Sequence, residues 1–479
     1  MSVLDRITIL DLDTFEQNEL DTLLTQLKAK QPRNEIRAAF YDGKNAVKDL
    51  GISTPPNMAR VATVLGWSAK AVDILNRRCN LDGFRLPDGL PDDMGLGQIW
   101  EDNMLDMEAP QAGVSSLIHA TSFLIRTRGD EKSGEPTVLV TAKDAMSGTG
   151  TWDRRARRLN SFLSILDTDG DDKPTEMALY LPNLTITMTK KLGGWDVERQ
   201  AHKYGVPVEP LVYQPRLGRP FGSSRISRPV MSLHGLAVRT VVRSEVSAEI
   251  YNVPQRVLLG ADESSFTSAD GSVKSAWEAV LGKVWAIGKD EEGDVPKIES
   301  FPAASQQPHM DQLRSLAQLF AGETSIPLDS LGISGDANPT SEGAYNAGRD
   351  DLIHEAEGVT DGWTPAWRRT MLGAMQMYNG WDAVPDEAKK VQPNWRPPST
   401  PSRASAADAG QKQLASVPWL AETKVGLELL GLDADQITRA LDEKRRSDAQ
   451  ANLSFLMDTA RRARETAAAA EVVPGDDAS

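Results

Sequence analysis

The chain has 479 residues, 40% hydrophobic and 25% charged, with 53 Lys and Arg against 68 Asp and Glu, for a formal net charge of −15. That length allows several domains of roughly 100 to 200 residues each, while no run approaches the roughly 18 apolar residues a membrane span requires. A single cysteine, Cys79, excludes a disulfide framework or a cysteine-rich metal site within the chain.

The N-terminus, MSVLDRITILDLD, is acidic where a secretory signal would be basic, so an intracellular site of assembly is expected. From Asp11 to about Gly129 the apolar spacing predicts helices: Leu20, Leu23, Leu24 and Leu27 share one face, then Met58, Val61, Val64 and Leu65 another. The period then changes. TVLVTAKD (Thr137 to Asp144) and ALYLPNLTITMTK (Ala178 to Lys190) carry the short β-branched runs of strands, and DTDGDDKP (Asp167 to Pro174) reads as the turn of a hairpin. Residues 1 to about 226 are therefore expected to form one α+β body.

FGSSRISRPV (Phe221 to Val230) opens a new helix, with Ser227 as N-cap and Pro229 in the first turn, where a missing N–H costs little. Val230, Leu233, Ala237, Val241 and Ala248 share one side of its wheel, and Arg228, Arg239 and Arg243 cluster on the other. Those arginines suit a solvated or inter-subunit face, or contact with phosphate. After VPQRVLLGADESSF (Val253 to Phe266) come short strand-like pieces and turns, and HMDQLRSLAQLFAG (His309 to Gly322) resumes a helix. Gly322 to Pro339 has two prolines, three glycines and no steady period, the pattern of a functional or disordered connection. Asn338 then reads as the N-cap of a long helix with Pro339 at its first position, which Pro365 should kink or interrupt. WRPPSTPSRASAADAG (Trp395 to Gly410) is a connector, helices return beyond it, and the final EVVPGDDAS is expected to be disordered.

Motifs that would carry chemistry fall short of their requirements. DTDGDD begins like a calcium loop, but Asp172 stands where the loop needs glycine and Ala178 where it needs a bidentate glutamate. His354-Glu355 has no second histidine four residues after the first, and YDGKN lacks the Gly-Lys-Ser/Thr of a phosphate cradle. His119, His202, His234, His309 and His354 share no spacing and read as packed or surface residues. No catalytic, cofactor-binding or metal-binding residue is assigned. A nucleic-acid-processing enzyme with an unrecognised site is the alternative reading.

The order of parts resembles the portal proteins of tailed bacteriophages, in particular those of long-tailed phages of actinobacteria. The likeness is carried by RAAFYDGKNAVKDLGI (Arg37 to Ile52), similar to that family's tyrosine-aspartate-glycine signature, and by VDILNRRCNLDGFR (Val72 to Arg85), similar to the helix after it. FGSSRISRPV resembles the start of the first stem helix, VPQRVLLGADESSF the exit from it, and LELLGLDADQITRALDEKRR (Leu427 to Arg446) the crown helices.

The resemblance implies a wing over 1–226, stem helices over 227–251 and 307–321, and a clip over 252–306 between them. It further implies a tunnel loop over 322–338, a kinked wing helix over 339–395, and crown helices with a disordered tail over 396–479. It implies a homo-oligomeric ring, usually of twelve copies, at a capsid vertex of the virion, assembled in the host cytoplasm. Its partners would be the major capsid protein and scaffold, the terminase large subunit, a head-tail adaptor and the double-stranded DNA in the channel, with no membrane. On that reading Glu323, Asp329, Ser334 and Asp336 belong to the channel loop, and Arg228, Arg239, Arg243, Glu245 and Glu249 to contacts between neighbouring stems. The loop has no Lys or Arg, so it should let phosphates slide. The negative net charge fits a conduit better than a binder, because an acidic wall keeps a polyanion from sticking.

Overall fold

The structure is a computed structural model that describes residues 7–44, 65–87, 94–251, 256–259, 297–300, 305–333, 349–399, 403–432 and 434–470. The chain divides into two units, Met1–Pro398 and Ser399–Ser479. Among the described residues no helix is long and apolar enough to cross a membrane.

The first unit opens with α1 (Thr14–Tyr41), started by a capping box in which Asp13 accepts from the Glu16 N–H and Glu16 accepts from the Asp13 N–H. Its expected stripe of Leu20, Leu23, Leu24 and Leu27 is buried against an antiparallel sheet. That sheet is a meander in the order β4 (Gly148–Asp153), β5 (Arg158–Thr168), β6 (Pro174–Leu181), β7 (Leu184–Lys191) and β8 (Gly194–Ala201). Alternation with period two sends Leu163, Met177, Leu179, Ile186 and Met188 to α1 and Phe162, Ala178 and Tyr180 to the opposite face. There they meet Phe123 of a three-stranded sheet ordered β3 (Val138–Asp144), β2 (Thr121–Arg128), β9 (Val208–Val212). DTDGDDKP is the β5–β6 turn: the Asp169 carboxylate accepts from the backbone N–H groups of Asp171 and Lys173, which gives it a structural task in the turn.

The remaining helices of this unit are α2 (Trp67–Asn76), α3 (Leu96–Asp102), α4 (Leu105–His119), α5 (Arg228–Tyr251), α6 (Gln307–Thr324) and α7 (Asp350–Tyr378). Around α7 the largest core forms: Leu352, Ala356, Val359, Trp363, Ala366 and Trp367 repeat at three and four residues and pack with Leu75, Leu117, Leu124, Leu211 and Phe320. Two further antiparallel pairs are present, β1 (Leu81–Arg85) with β12 (Gln392–Trp395), and β10 (Arg256–Leu259) with β11 (Lys297–Ser300).

Several expectations need correction. The stretch to Gly129 is not all helical, since β1 interrupts it and the β-branched TSFLIRTR forms β2. α7 runs through Pro365 without interruption, because Trp363 and Trp367 on either side are both buried and their packing outweighs one missing hydrogen bond. The wing helix expected over 339–395 ends at Tyr378; the chain turns at Gly380, with φ +66, and returns as β12. Asn338 and Pro339, most of 252–306 and the EVVPGDDAS tail lie outside the described residues.

The second unit holds α8 (Arg403–Ser416), α9 (Lys424–Leu429) and α10 (Ala434–Ala470). Every described side chain from Asp442 to Arg464 is exposed, including Leu453, Phe455, Leu456 and Met457.

Candidate functional site

The antiparallel body described above delivers two helices, α5 and α6, that pack along each other: the Ser244 hydroxyl donates to the Gln306 side-chain oxygen at 3.1 Å, and the Gln306 amide donates to Ser247 at 3.3 Å. Ser227 caps α5 as its sequence suggests, accepting from the Val230 N–H at 3.3 Å through its hydroxyl. Ahead of it Gly222, with φ +69, sits where a Cβ would collide with the Tyr213 carbonyl, so the turn that aims α5 accepts only glycine without strain.

At the root of the pair lies a buried junction. Arg225 donates through Nη2 to the Thr324 carbonyl at the end of α6 (2.6 Å), through Nε to the Ala71 carbonyl of α2, and through Nη1 to Glu355 of α7, with which it forms a salt bridge. Tyr213, just after β9, donates its hydroxyl to the same Glu355 oxygen at 2.5 Å. One guanidinium thus fastens both helices to α2, α7 and the end of a strand. Its side chain is 4% exposed and that of Glu355 19%, so the pair is shielded and neither partner is dispensable. Burial, and then the Glu355 carboxylate, hold the Tyr213 hydroxyl protonated far above the ordinary tyrosine range. Burial also pushes the nearby Cys79 thiol up to about 12, which leaves it an unreactive packing group.

Along α5, His234 is fully buried and shares a hydrogen bond of 2.7 Å with Ser68 of α2, its ring edge-on to Phe40. Burial lowers it to about 4, so at neutral pH it is a neutral packed residue. Outward the pair shows apolar side chains that are exposed among the described residues: Leu236 on α5 is 38% exposed, and Met310 and Leu319 on α6 are 55% and 61% exposed.

The residues singled out from the sequence are spread along this pair. Arg228 is exposed in the first turn of α5, Arg239 and Arg243 are half-buried, and Glu245 is exposed. The side chain of Glu249 and residues Ser334 and Asp336 lie outside the described residues. The expected loop is corrected over its first half. Gly322, Glu323 and Thr324 continue α6, so Glu323 is an exposed helical residue, and 325–333 is held to the body. Ile326 and Leu331 are buried in the main core, and Lys70 donates to the Ser330 carbonyl at 2.7 Å. Asp329 lies 3.8 Å from Arg349, a basic partner the loop's own composition does not reveal. The glycines and prolines of that segment mask the signal of its apolar anchors, Ile326 and Leu331.

Arg225, Tyr213 and Glu355 are absent from the sequence-based assignment. Arg225 sits inside a segment that reads as a helix start, and Glu355 is 130 residues away, so no local spacing connects them.

The sequence profile of the family described as "Phage portal protein, SPP1 Gp6-like" matches residues 20–449. The portal protein of Mycobacterium phage D29 is 28% identical over 400 residues, covering 82% of this chain and 81% of that one. The portal protein of Mycobacterium phage L5 is 28% identical over 382 residues, covering 78% and 77% respectively. Among solved structures, a chain from the neck of an empty gene transfer agent particle has 11% identity and a TM-score of 0.43, covering 77% of this chain and 90% of that chain.

Proposed function

The chain belongs to the SPP1 Gp6-like family of phage portal proteins, and from that premise we propose that its copies close into a ring with α5 and α6 lining a central channel for double-stranded DNA. A portal protein is a structural component of the phage head. In this reading residues 1–226 with α7 form the wing, α5 and α6 the stem, 252–306 the clip, and the second unit the crown.

The observation that carries the reading is the asymmetry of the helix pair. It is fixed at its root by the Arg225–Glu355 junction and displays Leu236, Met310 and Leu319 to solvent. Two helices with apolar residues on their outer sides cannot cover each other, and the same pair from a neighbouring copy supplies the missing surface in a heterologous contact that closes a ring. Twelve copies is the number the family implies. Between neighbouring stems, Arg239 and Arg243 of one copy pair with Glu245 or Glu249 of the next, leaving few cations to hold phosphate. Packaging and ejection follow from this: DNA slides through a bore whose charge repels it. The terminase and the head-tail adaptor dock on the clip, and ATP turnover belongs to the terminase.

Mass measurement and electron microscopy of the purified chain, beside a Leu319→Asp variant, test the reading. Closed rings that fall apart in the variant, with the circular dichroism of the chain unchanged, are the expected result. ATP hydrolysis that a point substitution in this chain abolishes would contradict the division of labour.

A further inference from the structure

One cavity has a charge opposite to that of the chain as a whole. It measures about 660 Å³ and opens between the second half of α1, the start of β4 and the segment leading into α5. Six cations line it, Lys30, Arg33, Arg37, Arg216, Arg219 and Arg228, and no carboxylate does. None of the six forms a salt bridge among the described residues.

The arrangement has a rim and a floor. Arg33, Arg216, Arg219 and Arg228 are exposed, Lys30 and Arg37 are half-buried, and Asn34 and His119 below them are 1% and 7% exposed. Polar atoms there lack partners: Nε and Nη1 of Arg37 and Nδ1 of His119 are buried with no hydrogen bond. Asp144, whose negative charge acts on His119, is engaged by the backbone N–H groups of Met146 and Ser147. Burial, then Arg33, lowers Lys30 to about 8, and burial with Arg33 and Arg219 lowers Arg37 to about 10. Keeping this many like charges in one recess is unfavourable until an anion enters it.

We infer that this cavity receives carboxylate side chains from a neighbouring copy of the chain, an inference that rests on the ring proposed above. A second copy carries an excess of fifteen acidic over basic groups along its chain, and six cations without a salt bridge among the described residues are the complementary feature. The depth of the floor decides between carboxylate and DNA. A duplex carries its phosphates on a rigid convex rod and touches only the rim, whereas Asp and Glu side chains on a neighbouring surface can extend to Arg37 and His119.

Rings assembled from equal amounts of ¹⁴N- and ¹⁵N-labelled chain, treated with a carbodiimide and read by mass spectrometry, test it. The expected product is an amide from Lys30 of one isotope to an Asp or Glu of the other, lost in Lys30→Arg, which keeps the charge. Arg33→Glu with Arg219→Glu should weaken ring assembly roughly tenfold at low salt. The difference should vanish near about 1 M salt, where screening acts within about 3 Å. Closed rings in which Lys30 is acetylated as fast as in the dissociated chain would overturn the inference and leave the ring reading intact. Protection of Lys30 only when DNA is added would assign the cavity to phosphate instead. Absence of closed rings by electron microscopy would remove both.

Discussion

α7 and α10 are both long, 29 and 37 residues, and they meet opposite fates. On α7 the apolar stripe is filled within the chain, with Trp363 and Trp367 only 2% and 1% exposed. On α10, Phe455, Leu456 and Met457 stand in solvent beside Leu453. The helix pair of α5 and α6 combines both conditions, closed at the root by Arg225 and bare along Leu236, Met310 and Leu319. The body thus fills its own core, while the helix pair and α10 leave apolar side chains exposed among the described residues.

The largest expected effect falls on the body. Arg225→Ala leaves the half-buried Glu355 without its cation and should cost about 3 kcal/mol of stability, read as a drop in the urea midpoint of the body. If the midpoint is unchanged, the junction does not fasten the helices. Next, Phe455→Asp with Leu456→Asp should leave the thermal unfolding of the isolated chain within about 0.5 kcal/mol of wild type while lowering ring yield. A matching loss of monomer stability would show that α10 is covered in the free chain.

Acid sharpens the same contrast. Burial lowers both His119 and His234 to about 4, below the unfolded value near 6.5. Between those limits the unfolded chain binds protons that the folded chain refuses, so stability present above about pH 6.5 is lost as pH falls toward 4. His234→Asn should flatten part of that slope in a pH series of denaturant midpoints. The smallest effect belongs to Asp329→Asn: its pair with Arg349 is a long surface contact at 3.8 Å, worth under about 1 kcal/mol, and any larger loss in thermal melts would mean that the segment depends on it.

Legibility in the sequence followed the range of the interaction. The α1 stripe, the β5–β6 turn and the Ser227 cap are encoded within a few residues and were readable there. The α+β class and the family resemblance were readable too, since they rest on element order and on segments quoted whole. What sequence could not give depends on residues brought together from afar: Glu355 under Arg225, Arg349 beside Asp329, and the six cations drawn from α1 and the β9–α5 connection into one recess. Composition misled at 322–333, where glycine and proline suggested a free loop while Ile326 and Leu331 anchor the chain.

Imaging of the head vertex of assembled particles, with α5 and α6 marked by their position in the density, tests the central claim most directly. The account predicts a closed ring in which every copy presents this helix pair to the central hole and its root, at Arg225, to the body. A vertex carrying the chain as separate copies, or a ring with α5 and α6 on its outer surface, would contradict it.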